Sequence, residues 1–362
     1  MRQFIKKCGG PAILFPLFAL GALGTLLPLR VWQELERMDP KSGFWGQWSP
    51  VKETWDILQF SQSRSILALY IGLAGLIIVP ALAGFALRGR CVLDLGRRPR
   101  KAESIASLLL GASMVVDAVA AFQFAAGVYI KLQQGEVLSG MEIAAYNPVF
   151  RDYMQYYVRT GTVAAVFETL AGAAGAIFFL QLALRDWFPK RAKEPGKLLA
   201  LMPLAWVMCR VLRRFSRTIS FVRVPDLLLD LLLLICLAIF FLAFAQLLSG
   251  INGEGKESRL LGAGMPAAIL ALLCFVPRAA LRLRNEPPGV FPEDALIEWC
   301  DLAIALFLAI FLGGRLFVAK PEAGAGASLE AVDAPGDGVA EGVLAKVMAD
   351  DDGKDDEGVA GE

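Results

Sequence analysis

Long uncharged runs dominate the pattern of this chain. Residues 11–29 are apolar after a basic start of Arg2, Lys6 and Lys7, and residues 65–87 carry no charge over 23 positions. Residues 104–130 and 160–184 are apolar except for one acid each, Asp117 and Glu168. Further apolar runs occupy 225–250, 260–281 and 295–317. A hydrocarbon core about 30 Å thick takes about 20 residues of helix. Within it only helices or closed barrels satisfy every backbone N–H and C=O. The runs are continuous rather than alternating, so they predict helices and not barrel strands. The expected fold is all-α, a polytopic transmembrane helix bundle with seven spans.

An eighth stretch, 198–220, reads two ways. Arg210, Arg213, Arg214 and Arg217 share one helical face, while Leu204, Met208, Val211, Leu212 and Phe215 supply an apolar one. Such a segment either lies in the interface as an amphipathic helix or crosses with an arginine stripe inside the bundle. Basic residues concentrate on the cytoplasmic side of a membrane protein. Lying flat, the segment leaves 22 Lys and Arg inside against 14 outside; crossing, it leaves 20 against 16. The charge count therefore favours the flat helix, with the amino terminus cytoplasmic and the carboxyl-terminal tail outside.

The connections are short. Residues 30–64 carry Trp32, Trp45, Trp48 and Trp55, and residues 131–159 carry Tyr146, Tyr153, Tyr156 and Tyr157. These read as aromatic belts at the lipid boundary, with a ligand-stacking surface as the alternative. Residues 319–362 are rich in Gly, Ala and Asp with few large apolar side chains, so a disordered acidic tail is expected. Its aspartates lack the spacing of an EF-hand loop.

Composition narrows the chemistry. The chain has 362 residues, 56% hydrophobic and 20% charged, against about 45–50% apolar and about 25% charged in soluble domains. It contains no histidine, which removes HExxH zinc sites, Ser-His-Asp triads and proximal-His haem ligation. Six scattered cysteines form no CxxC pair. No catalytic motif, metal site, cofactor or nucleic-acid surface is expected. The net charge of +1 hides +11 over residues 1–320 and −10 over residues 321–362.

Asp117 and Glu168 are the candidate intramembrane polar site. A carboxylate at the bilayer centre costs about 2.5–3.5 kcal/mol on insertion scales unless it is paired, hydrated or protonated. The run Ala171 to Ala176 after Glu168 is all Gly and Ala, which lets helices approach closely. The two acids either share a polar cavity or fix helix contacts. Asp226, Asp230, Glu298 and Asp301 open two apolar runs, where acids favour the helix dipole, with Arg210 and Arg278 as available partners. Arg210, Arg213, Arg214 and Arg217 are candidate contacts for anionic lipid if cytoplasmic. Gly21, Gly24, Gly72 and Gly75 are expected at packing contacts.

The segments LRVWQELE (Leu29–Glu36) and MDPKSGFW (Met38–Trp45) resemble a multi-pass membrane family of anaerobic Gram-positive bacteria. PLAWVMCRVLRRFSRTIS (Pro203–Ser220), followed by LLDLLLLICLAIFFLAFAQLL (Leu228–Leu248), adds to that resemblance. It implies a bacterial plasma-membrane location and carries over no activity, cofactor or site residue. Three roles remain: a non-enzymatic accessory, sensory or assembly component embedded in the bilayer; a small-solute or ion permease using Asp117 and Glu168; and a lipid-processing enzyme. The first leads.

Overall fold

The structure is a computed structural model that describes residues 11–36, 46–49, 54–57, 64–86, 101–133, 157–158, 160–187, 196–216, 224–249, 256–283 and 299–315. Among them are eight α-helices: α1 (Pro11–Glu36), α2 (Arg64–Ala86), α3 (Lys101–Gln133), α4 (Thr162–Trp187), α5 (Met202–Ser216), α6 (Val224–Leu248), α7 (Lys256–Leu283) and α8 (Trp299–Arg315). A 3₁₀ turn, Leu199–Leu201, leads directly into α5. Between α1 and α2 lies a hairpin absent from the all-helical expectation. Strands β1 (Gly46–Ser49) and β2 (Thr54–Ile57) pair antiparallel with Trp48 opposite Trp55. Aromatic and β-branched residues flank a short connection holding Pro50, a pattern that suits a hairpin as well as a membrane-boundary loop.

Among the described residues, five helices are long and apolar enough to cross a membrane: Arg64–Phe85, Lys101–Ile130, Thr162–Arg185, Leu227–Leu248 and Ser258–Ala280. The other two runs expected to span also form helices, but of a different kind. Helix α8 is apolar yet shorter, at Trp299–Gly314. Helix α1 contains Pro16 and Pro28 and buries Arg30, Gln33 and Glu34 near its end. The architecture is thus a helical bundle of the multi-pass kind, with five helices of full spanning character.

Its outer surface is apolar. On α2, Leu67, Ile71, Ile78, Leu82 and Phe85 form an outward stripe, each more than half exposed. Val116 and Phe122 on α3 and Phe167 and Leu170 on α4 do the same. Contiguous apolar faces on this scale suit lipid and not water. Helix α7 is the most enclosed of the five: 78% of its 18-residue apolar stretch is buried, against 28% for that of α2. It packs against α1, α2, α6 and α8, while α3 and α4 form the closest pair.

The helix ends sort into two groups. At one end, a Cβ placed on Gly84, late in α2, would meet the Ser258 carbonyl at the start of α7 at 2.8 Å. At that end too, the Glu103 carboxylate of α3 lies where a Gly314 side chain in α8 would begin. At the other end, Gln33 near the end of α1 donates from Nε2 to the Ser65 carbonyl at the start of α2 (2.9 Å). The starts of α4, α6 and α8 gather there with the ends of α5 and α7, through ion pairs described below.

Helix α5 runs antiparallel beside α4. Gly175 faces the Cα of Pro203, Gly172 faces the Trp206 ring, and Glu168 meets Arg210 and Arg213. Glycine keeps this seam close: a Cβ on Gly172 would sit 3.2 Å from Trp206 and 3.4 Å from Ala118, so the indole would have to shift by a few tenths of an ångström. Ala171, Gly172, Gly175 and Ala176 of the small-residue run are buried against protein, while Ala173 is exposed. Of the glycines expected at packing contacts, Gly72 presses against Leu26, whereas Gly21, Gly24 and Gly75 have open space beside them.

Candidate functional site

Helix α5 determines the site. Its apolar residues Met208, Leu212 and Phe215 point outward and are about half exposed, while Trp206 and Val207 are fully buried. With 3.6 residues per turn, a face opposite 208, 212 and 215 carries 206, 210, 213 and 214. Those side chains enter the bundle. Arg210 is 5% exposed and lies over the Trp206 ring, its guanidinium carbon 4.9 Å from the centroid, in cation–π range.

Acids from three neighbouring helices meet this face. Glu168 of α4, fully buried, pairs with Arg213 at 2.9 Å and Arg210 at 3.7 Å. Asp301 of α8 lies 3.9 Å from Arg210 and 4.0 Å from Arg278 of α7. Asp230 of α6 takes Arg214 at 3.0 Å and Arg278 at 3.1 Å. Asp117 of α3 extends the set: its Oδ2 accepts from Trp206 Nε1 at 2.9 Å. Glu168, Asp230 and Asp301 each lie within 4.0 Å of two arginines. Among the described residues, four carboxylates and four guanidiniums therefore balance in formal charge across six helices, α3 to α8.

This is a condition for burial. An isolated charge in a low-dielectric interior costs several kcal/mol; a charge with close opposite partners and hydrogen bonds offsets that cost. Cys300 lies at the margin of the set, with the Ser113 hydroxyl 3.7 Å from its sulfur. A second, smaller polar group lies near the end of α1, where Arg30 and Glu34 pair within the helix and Gln33 ties it to α2. Among the described residues no group of three His, Cys, Asp or Glu side chains is placed to hold a metal ion.

The structure brings Asp117 and Glu168 into one network, linked through Trp206 and Arg210 rather than facing each other across a described opening. Arg210, Arg213 and Arg214 are engaged by acids of the bundle, and Arg213 and Arg214 keep 16% and 18% of their side chains exposed. Of the helix-opening acids, Asp301 meets both Arg210 and Arg278, and Asp230 meets Arg278 together with Arg214. Arg217, Arg223, Glu298 and the tail 319–362 lie outside the described residues, as does the side chain of Asp226. Sequence reasoning missed Trp206. Its signal was a lone tryptophan one turn before Arg210, inside an apolar stretch rather than at its edge.

No family model, curated protein or solved structure matches this chain.

Proposed function

We propose that this chain is a non-enzymatic, multi-pass membrane protein that crosses the bilayer eight times and serves as an accessory, sensory or assembly component. One observation supports this reading over a permease. Both intramembrane acids are engaged by protein side chains, Asp117 by Trp206 and Glu168 by Arg213 and Arg210. A carboxylate that carries ions or protons needs a state in which water or solute reaches it. Here the acids serve to join helices.

The crossing number follows from α5. It runs beside the Glu168–Gly175 stretch of α4, inside a span-length helix, so it shares that helix's depth. Counting α1 and α8 as crossings places both termini on one side. That side carries 20 of the 36 Lys and Arg residues, which makes it the cytoplasmic one. In this arrangement the arginine end of α5 faces outward, and any anionic lipid met by the part-exposed Arg213 and Arg214 belongs to the outer leaflet.

The test is reconstitution in sealed liposomes. The wild type and the D117N and E168Q variants are compared for ion and proton flux and for thermal stability. The reading expects no acid-dependent flux and a marked loss of stability in E168Q. Flux that vanishes in D117N while stability is kept would overturn it in favour of transport.

A further inference from the structure

Helix α5 poses a problem of insertion. Its apolar part, Leu199 to Cys209, covers about 16 Å at 1.5 Å per residue, roughly half of a hydrocarbon core about 30 Å thick. The remaining turns carry Arg210, Arg213 and Arg214. Alone, such a segment settles in the interface, and the distribution of loop charges also favours that outcome. Yet α5 lies against α4 along the stretch from Glu168 to Gly175.

The contacts that change this preference are identifiable. Glu168 precedes α5 in the chain and is fully buried against it. Asp230 follows it, in the second turn of α6, and meets Arg214 at 3.0 Å. Only residues 217–223 separate α5 from α6, so the two can enter as a hairpin with that ion pair inside it. Asp301 then closes on Arg210 and, with Asp230, on Arg278. Each acid offsets an arginine that otherwise opposes burial, and each arginine does the same for an acid.

Helices α6, α7 and α8 are joined in series, so their direction depends on whether α5 crosses. If it crosses, the starts of α6 and α8 share an end with the start of α4, as the ion pairs require. If it lies flat, all three invert and the carboxyl terminus changes side. We propose that Glu168, Asp230 and Asp301 are topological determinants: by pairing with the arginines they commit α5 to crossing and so fix the side on which the tail lies. This rests on the eight-crossing reading, and its test separates the two.

The full chain, tagged at its carboxyl terminus, is translated into inverted bacterial inner-membrane vesicles and treated with protease as soon as synthesis ends, before unstable products are lost. In the wild type the tag is on the cytoplasmic face and is digested. A protected wild-type tag refutes eight crossings outright. With the wild type as expected, E168Q/D230N/D301N shifts the tag from mostly digested to mostly protected. Adding R210Q/R213Q/R214Q/R278Q to that variant removes the charges that resist burial and returns the tag to digestion. A triple acid variant whose tag is digested as fully as the wild type's overturns the proposal. So does a sevenfold variant whose tag stays protected, because the triple variant's shift would then be unrelated to stranded arginine charge.

Discussion

The two ends of helices α4, α6 and α8 are built on different chemistry. Each carries an acid near its start, Glu168, Asp230 or Asp301, and phenylalanines further along: Phe178 and Phe179, Phe240, Phe241 and Phe244, Phe307 and Phe311. Acid and ring are mostly ten or so residues apart, about 15 Å along a helix. The phenylalanines form one cluster, with Phe179 and Phe307 centroids 5.3 Å apart at 74°, Phe244 and Phe311 5.3 Å apart at 85°, and Phe307 and Phe311 nearly parallel at 19°. Edge-to-face rings adjust by small rotations and share contacts among many neighbours. The ionic end has no such tolerance. Each carboxylate there balances particular guanidiniums, and losing one leaves them short of counter-charge where water reaches them little.

The largest expected effect comes from breaking the ionic end alone. Glu168→Gln keeps the shape of the side chain and removes the charge facing Arg210 and Arg213. Breaking a buried pair from one side costs about 3–5 kcal/mol. A large drop in the midpoint of thermal aggregation in detergent is expected. Removing both sides by E168Q/R213Q should recover part of that loss, since Arg213 is then no longer stranded. A double variant no better than the sum of the two single ones would show that the pair is not energetically coupled.

A smaller effect is expected where backbone proximity, not charge, sets the limit. A Cβ on Gly264 of α7 would lie 2.9 Å from the Phe240 ring and 3.1 Å from Leu312. Overpacking of this kind costs about 1–3 kcal/mol. Gly264→Ala should therefore lower stability by an intermediate amount, and G264A/F240L should restore most of it. Gly84→Ala should cost a similar amount without such rescue, because the atom in the way is the Ser258 carbonyl, a backbone group.

These sites differ in how far the sequence announced them. The helical runs were legible because apolar character is written residue by residue, and Asp117 and Glu168 stood out as the single acids of their runs. Asp230 and Asp301 were legible as helix-opening acids, and their arginine partners could be named. The burial of the arginine face of α5 was not. Its local pattern fits an interfacial helix, and the charge count over loops favours that arrangement. The contacts that bury this face come from α4, α6 and α8, at sequence separations of 16 to 91 residues from the arginines they meet. Periodicity reports which residues share a face; it does not report whether that face meets lipid headgroups or buried carboxylates. The β1–β2 hairpin was hidden for a related reason, since tryptophans near turn formers suit both a membrane boundary and a short strand pair.

Asp117 offers a gentler way to probe the ionic end, through one neutral donor. Trp206→Phe keeps a ring against Gly172 and beneath Arg210 but deletes the N–H that reaches Asp117 Oδ2. Leaving a part-buried carboxylate without that donor costs about 1–3 kcal/mol. The same substitution in a D117N background should cost less, because an amide is more easily left without this donor than a charge. Equal costs in both backgrounds would mean that the indole contributes only its packing.

The smallest expected effect is at the aromatic end. Phe240→Leu retains apolar volume beside Phe241, Phe244 and Phe311, and hydrophobic swaps of similar size usually cost less than about 1.5 kcal/mol. A near wild-type melting midpoint is expected, well above that of E168Q, although both changes alter one buried side chain without shortening it drastically. The contrast isolates the physical difference between the two ends. A ring lost from a cluster is replaced by neighbouring dispersion contacts, whereas losing the Glu168 charge takes from Arg213 the carboxylate it meets at 2.9 Å and from Arg210 one of the acids beside it. A midpoint for F240L as low as that of E168Q would show that the phenylalanine cluster is as intolerant as the ionic layer, and the division of labour between the two ends would fail.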